Sequence, residues 1–112
     1  VWWKENPMDT QDYYNQALHM RYEAPKECNT LVAMKILEAH LNSPAMLAIL
    51  PLQDWLSISD KFKRENANEE RINIPANPQH YWNYRMHLTL EYLNEGKDLT
   101  ETIYTLNRAS GR

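Results

Sequence analysis

Pro44-Ala45-Met46-Leu47-Ala48-Ile49-Leu50-Pro51-Leu52-Gln53-Asp54 is the stretch on which the fold turns. Ala45 to Leu50 is an unbroken apolar run held between two prolines, with no polar alternation. Such a run fits a strand buried on both faces, as in a parallel sheet covered by helices. A buried helical turn is the competing reading. Beyond Pro51 the chain turns polar at once with Gln53-Asp54. A strand of this kind needs neighbours for its backbone N–H and C=O groups. The 112 residues offer no second segment like it, so its partners are expected in a longer protein. The beginning at Val1 without a signal-peptide pattern fits the same expectation.

Upstream lies the clearest helical pattern. Leu31, Met34, Leu37 and Leu41 recur at helical spacing, with Ala33 and Ile36 beside them. Asn29 or Thr30 is placed to cap its start, and Asn42-Ser43-Pro44 to end it. Asp9 to Met20 reads as an earlier helix, broken by Glu23-Ala24-Pro25. Downstream, Lys61 to Arg71 is a charged stretch expected on a solvated loop or helix face. Ile72 to Pro78 is a loop, because Pro75 and Pro78 interrupt it. Thr89 to Leu93 and Asp98 to Ala109 read as two short closing helices, with Asp98 and Glu101 spaced as a capping box and Gly111 as a stop. The unit of helix, buried strand, polar loop and helices reads like the last turn of a β/α barrel. The expected fold is therefore an α/β parent, a (β/α)8 barrel. Residues 1–112 form its carboxy-terminal portion, mostly α-helical with one buried strand near 45–50.

Composition narrows the function. The net charge is −3 with no basic block, so the electrostatic footprint of a nucleic-acid binder is missing. No apolar run reaches the ~20 residues of a membrane-spanning helix. Cys28 is alone, which rules out an internal disulfide and fits a reduced compartment such as the cytoplasm. It is expected as a buried thiol on a helix. His19, His40, His80 and His87 have no metal-ligand spacing, so no metal and no cofactor are expected. A Ser nucleophile elbow and a phosphate-cradling Gly loop are both absent.

Three groups can carry chemistry. Gln53-Asp54 follows the apolar run, where an Asp can orient a sugar hydroxyl, anchor an Arg, or simply cap the next turn. Asn73, in Arg71-Ile72-Asn73-Ile74-Pro75, offers an amide that can both donate to and accept from a sugar diol, or tie its own loop. Trp82, with Tyr81, Tyr84 and Arg85, offers flat faces suited to sugar rings. Core packing is the plainer expectation for Trp82, and an ion pair, with Asp54 one candidate partner, for Arg85.

These same residues resemble the carboxy-terminal end of the 4-α-glucanotransferases of glycoside hydrolase family 77. The matching runs are Ser43 to Leu56 and Arg71 to Arg85, which carry Pro-x-Gln-Asp, Arg-x-Asn-x-Pro and Trp-x-x-Arg in order. Trp2-Trp3 and Ala24-Pro25 fit as well. Pro75-Ala76 stands where common members have Pro-Gly, and the Asn-Pro-Gln-His-Tyr-Trp form is similar to the branch that includes the plant cytosolic enzyme. The resemblance implies a barrel enzyme that breaks an α-1,4 bond and passes the glucan to a sugar 4-hydroxyl through a covalent intermediate, with retention. It places the nucleophile, the acid/base and the stabilising Asp upstream of Val1, so no catalytic carboxylate is expected in 1–112 and the isolated piece is expected to be inactive. It implies Asn73 as a sugar contact, Gln53, Asp54 and Pro75 as residues holding its loop, and Trp82 and Arg85 as supports. The implied partner is an α-1,4-glucan or maltooligosaccharide from starch, glycogen or maltose metabolism. Cut from its barrel, the piece is expected to self-associate. The alternative is a stand-alone helical interaction module.

Overall fold

The computed structural model describes residues 2–112; Val1, the first residue of the expected 1–112 unit, lies outside them. The described residues form helices α1 (Trp2–Glu5), α2 (Pro7–Gln16), α3 (Thr30–Leu41), α4 (Leu52–Ser57), α5 (Leu90–Asn94) and α6 (Lys97–Ala109), plus a 3-10 turn at Ala67–Glu70. No strand occurs among them.

The α3 helix forms because Asn29 caps it: the Asn29 side chain accepts from the Val32 N–H at 3.0 Å. Its two apolar faces divide the molecule. Val32 and Ile36 face a cluster with Trp3, Tyr14 and Leu18. Ala33, Leu37 and Leu41 face the larger core of Leu56, Ile58, Phe62, Leu99 and Leu106. Each large side chain buried in this way contributes roughly 1.5–3 kcal/mol. The inward stripe is thus 33/37/41 with Met34 beside it, while Leu31 is exposed.

The amino-terminal cluster is pinned by polar contacts. The Thr10 hydroxyl, buried, donates to the Trp3 carbonyl at 2.8 Å, and Trp3 Nε1 donates to the Pro25 carbonyl at 2.8 Å. The helix expected over Asp9 to Met20 begins earlier and ends at Gln16, because the chain reverses through His19 in the left-handed region (φ 54°). Cys28 lies in the loop before α3 and is exposed, so the expected buried helical thiol is overturned. The expected Asp98 cap is also overturned. Gly96 is the N-cap of α6, which places Asp98 inside the first turn, where its charge favours the helix dipole.

The main correction concerns residues 45–50. The segment is irregular, with a bend at Met46, and joins no ladder, so it is neither a buried strand nor a helical turn. Only Ala48 and Leu50 pack against the larger core, while Met46, Leu47 and Ile49 are 91%, 74% and 88% exposed. The physical reason is the one that makes strands cooperative: a single apolar segment without a neighbour has no ladder to join and no second layer to cover its outer face.

The segment is nevertheless held at its start. Arg112 turns back onto the end of α3, its Nε donating to the Leu41 carbonyl at 2.7 Å and its Nη2 to those of Ser43 and Ala45 at 3.0 and 2.7 Å. The Leu41 carbonyl is one that the helix end leaves without a partner, and the other two belong to the segment that follows. Gly111, at φ 78°, makes the turn that aims Arg112 there.

Candidate functional site

The polar residues after Pro51 are fixed by α4. Pro51, extended at φ −64° and ψ 153°, is the N-cap, and Gln53 and Asp54 occupy the first turn. Neither is itself the cap.

Gln53 reaches across to the 3-10 turn. Its Nε2 donates to both the backbone carbonyl and Oε2 of Glu70, each at 2.9 Å. The turn is set by Asn66, whose Oδ1 accepts from the Asn68 N–H at 3.1 Å. The other carboxylate oxygen of Glu70, Oε1, lies 2.9 Å from Arg64 Nε and 3.8 Å from His87 Nδ1. Arg64 Nε lacks an aligned acceptor, so the Arg64–Glu70 contact is a charge pair and not a linear hydrogen bond. Arg64 also donates through Nη2 to the Arg85 carbonyl at 2.8 Å, and its guanidinium lies 5.8 Å from the Tyr84 ring centre. His87 Nε2 is 2.9 Å from the Phe62 carbonyl, which makes Nε2 the donor. The Tyr84 hydroxyl is shut off from solvent without an aligned partner; burial pushes its pKa up, the Glu70 carboxylate adds to this, and Arg64 opposes it.

Gln53, Arg64, Glu70, Tyr84 and His87 therefore form a polar knot. Gln53 and Tyr84 lie in runs that the sequence marks, whereas nothing in it marks Arg64, Glu70 and His87 as their partners. Arg64 and Glu70 sit in the stretch expected to be solvated, yet only 14% of the Arg64 side chain is exposed. No periodicity marks them, and the only available signal was that Glu70 directly precedes the Arg-x-Asn-x-Pro run.

Asn73 and Pro75 lie exposed on the loop that follows Glu70. Backbone turns hold the loop: Asn77 N–H donates to the Ile74 carbonyl at 2.9 Å, and His80 Nε2 pairs with the Ile72 carbonyl at 3.1 Å. Trp82 is 74% exposed and Tyr81 is 83% exposed, so Trp82 does not pack in the core that the described residues form. Arg85 is exposed and contributes its carbonyl to Arg64. It makes no ion pair with Asp54 among the described residues. Asp54 instead feels His40: burial raises its carboxyl pKa, and His40 pulls it part of the way back. The structure thus joins Gln53 to the base of the Asn73 loop but does not gather all six expected residues into one pocket. Arg85 lines a shallow groove with Arg64, His87 and Thr89. Among the described residues no group of three or more His, Cys, Asp or Glu is placed to hold a metal ion, and no helix is long and apolar enough to cross a membrane.

Comparison with known proteins adds to this geometry. The family described as 4-alpha-glucanotransferase matches residues 1–90. Over all 112 residues the chain is 41% identical to a protein of Oryza sativa subsp. japonica named 4-alpha-glucanotransferase DPE2. The chain spans 12% of the length of that relative. No solved structure matches.

Proposed function

The chain belongs to the 4-alpha-glucanotransferase family, glycoside hydrolase family 77, and from that premise we propose that it is the carboxy-terminal portion of a cytoplasmic enzyme that moves α-1,4-glucan segments onto a sugar 4-hydroxyl. The reaction is a retaining double displacement, with two carboxyl groups acting as nucleophile and acid/base. Those groups belong to the part of the enzyme outside residues 1–112. This portion supplies a wall of the glucan site. Asn73 offers its amide to a sugar diol, and Trp82 offers an exposed ring face to the apolar C–H side of a pyranose. Pro75 stiffens the loop and Arg85 supports its base. In the complete (β/α)8 barrel, residues 45–50 gain the strand neighbours that they lack here. Their backbone forms no helix and no ladder here, which leaves that pairing open to them.

One observation carries the site reading. The Gln53–Glu70 hydrogen bonds tie Pro-x-Gln-Asp to the start of Arg-x-Asn-x-Pro, so two of the three motifs that carry the resemblance are physically joined. Asp54 sits in the same helical turn, and its partly buried carboxyl feels the charge of His40.

The test is disproportionation. The full-length protein incubated with maltotriose is expected to yield both shorter and longer maltooligosaccharides, and residues 1–112 alone neither. Transfer by the isolated 112-residue chain overturns the placement of the catalytic groups; absence of transfer by an intact full-length protein overturns the glucanotransferase reading.

A further inference from the structure

We propose that Glu70 is a positioning residue for the 71–84 loop, and that with Arg64 it clamps that loop at its base. The proposal rests on the reading that this loop faces the glucan. Glu70 is fixed at both ends: its carbonyl and Oε2 accept from Gln53, and Oε1 stands between Arg64 and His87. It is the last residue of the 3-10 turn, so its placement sets where Arg71 departs, extended at φ −73° and ψ 117°. The other end of the loop is gripped by the same guanidinium, because Arg64 Nη2 holds the Arg85 carbonyl. A single Arg side chain therefore joins the beginning and the end of the segment that carries Asn73 and Trp82. Glu69 does not play this part: it meets Arg64 Nη1 at 3.2 Å from a side chain that is 58% exposed, whereas the Glu70 side chain is 25% exposed.

Closing a loop of this length costs conformational entropy. With the clamp in place that cost is met during folding; without it, the glucan must order the loop as it binds. An apparent affinity scales inversely with the fraction of molecules already in the binding arrangement. If Glu70→Ala leaves the loop in place about a tenth of the time, apparent affinity falls roughly tenfold. Contacts that hold substrate and transition state alike raise KM and leave kcat unchanged when lost.

The experiment uses the full-length protein with maltotriose as the probe. Glu70→Ala is expected to raise KM roughly tenfold with kcat within about twofold of wild type. Glu70→Gln keeps an acceptor for Gln53 but loses the charge that faces Arg64, and is expected to fall between. Hydrogen exchange at the amides of residues 71–80, measured without sugar, is expected to quicken in the same order. Wild-type KM together with wild-type exchange in Glu70→Ala overturns the proposal, as does a loss confined to kcat. If Glu70→Ala unfolds globally, Glu70→Gln decides: faster loop exchange at an unchanged melting temperature supports the clamp, and unchanged exchange overturns it. If the wild type transfers no glucan, the functional reading fails, while the exchange series still tests the clamp.

Discussion

Gly96 lies directly against the ring of Phe62: a methyl group at its Cα would stand 2.7 Å from Cε2 and 2.9 Å from Cζ. Phe62 has nowhere to retreat. It is 2% exposed, at the centre of the larger core, and packs edge-on against Tyr92 with ring centres 5.4 Å apart. The Leu93 carbonyl closes the remaining side at 3.0 Å. Gly96→Ala is therefore expected to lower the stability of the 112-residue chain by about 1–3 kcal/mol through overpacking. Denaturant unfolding checks this as a lower midpoint at an unchanged slope.

Arg112 satisfies carbonyls at the end of α3 and along the segment that follows. Arg112→Ala leaves the Leu41 carbonyl, in its partly buried setting, without this donor. The expected loss is about 1 kcal/mol, since most of the remaining contacts are exposed and water replaces them. Arg112→Lys restores only part of it, because one ammonium cannot reproduce the planar fork that reaches several carbonyls together. Thermal midpoints of the three proteins, ordered Arg, Lys, Ala, check the assignment.

The contrast between α3 and residues 45–50 shows what was legible in the sequence. Asn29 at the start and Ser43-Pro44 at the end are local signals that the folded chain keeps, whereas the equally local Asp98–Glu101 spacing does not cap α6. The spacing of Leu31, Met34, Leu37 and Leu41 marks a helix but not which residues face inward, because a helical stripe wide enough for two cores tolerates more than one alignment. The apolar run 45–50 was misread for a different reason: whether it pairs depends on segments outside the 112 residues, and no propensity supplies them. The polar knot was hidden because Arg64, Glu70 and His87 meet through the tertiary path of the chain and not through any spacing. The Gln53 connection to the Asn73 loop was legible only as two separate motifs.

Asp54 gives a pH test. Burial raises its carboxyl above the ordinary 3.8 in the folded chain. A folded-state pKa above the unfolded one means that the folded form binds more protons, so stability falls as pH rises from the unfolded value through the folded one. Asp54→Asn removes that penalty. It is expected to raise the unfolding midpoint at pH 7 relative to wild type and to leave the two alike near pH 3, where both forms of Asp54 are neutral. A variant that is less stable at pH 7 would show instead that the charged carboxylate is stabilising where it stands.

Trp82 separates binding from folding. With most of its ring in solvent, it contributes little to the core, so Trp82→Ala is expected to shift stability by less than about 0.5 kcal/mol. In the full-length protein the same change is expected to raise KM for maltotriose several-fold, as a stacking face is lost. Measuring both on one preparation distinguishes the two roles. A large fall in melting temperature with KM unchanged would return Trp82 to a packing role.

The isolated chain is expected to self-associate through residues 45–50. Met46 and Ile49 present nearly their whole side chains to water, and the backbone beside them has no ladder to occupy its N–H and C=O groups. A segment with open backbone groups and exposed apolar side chains recruits another chain, because pairing satisfies both at once. The Arg112 contacts hold its first residues in place, which lowers the entropy that a partner must overcome. Met46→Ser with Ile49→Ser removes the apolar contribution without touching Ala48 or Leu50, which face the core. Light scattering coupled to size-exclusion chromatography at micromolar concentrations is expected to give dimers or larger species for the wild-type chain and monomers for the double variant. A wild-type chain that stays monomeric and binds no apolar dye would mean that the segment is content in water, and would remove the physical reason for expecting it to seek strand neighbours in a larger protein.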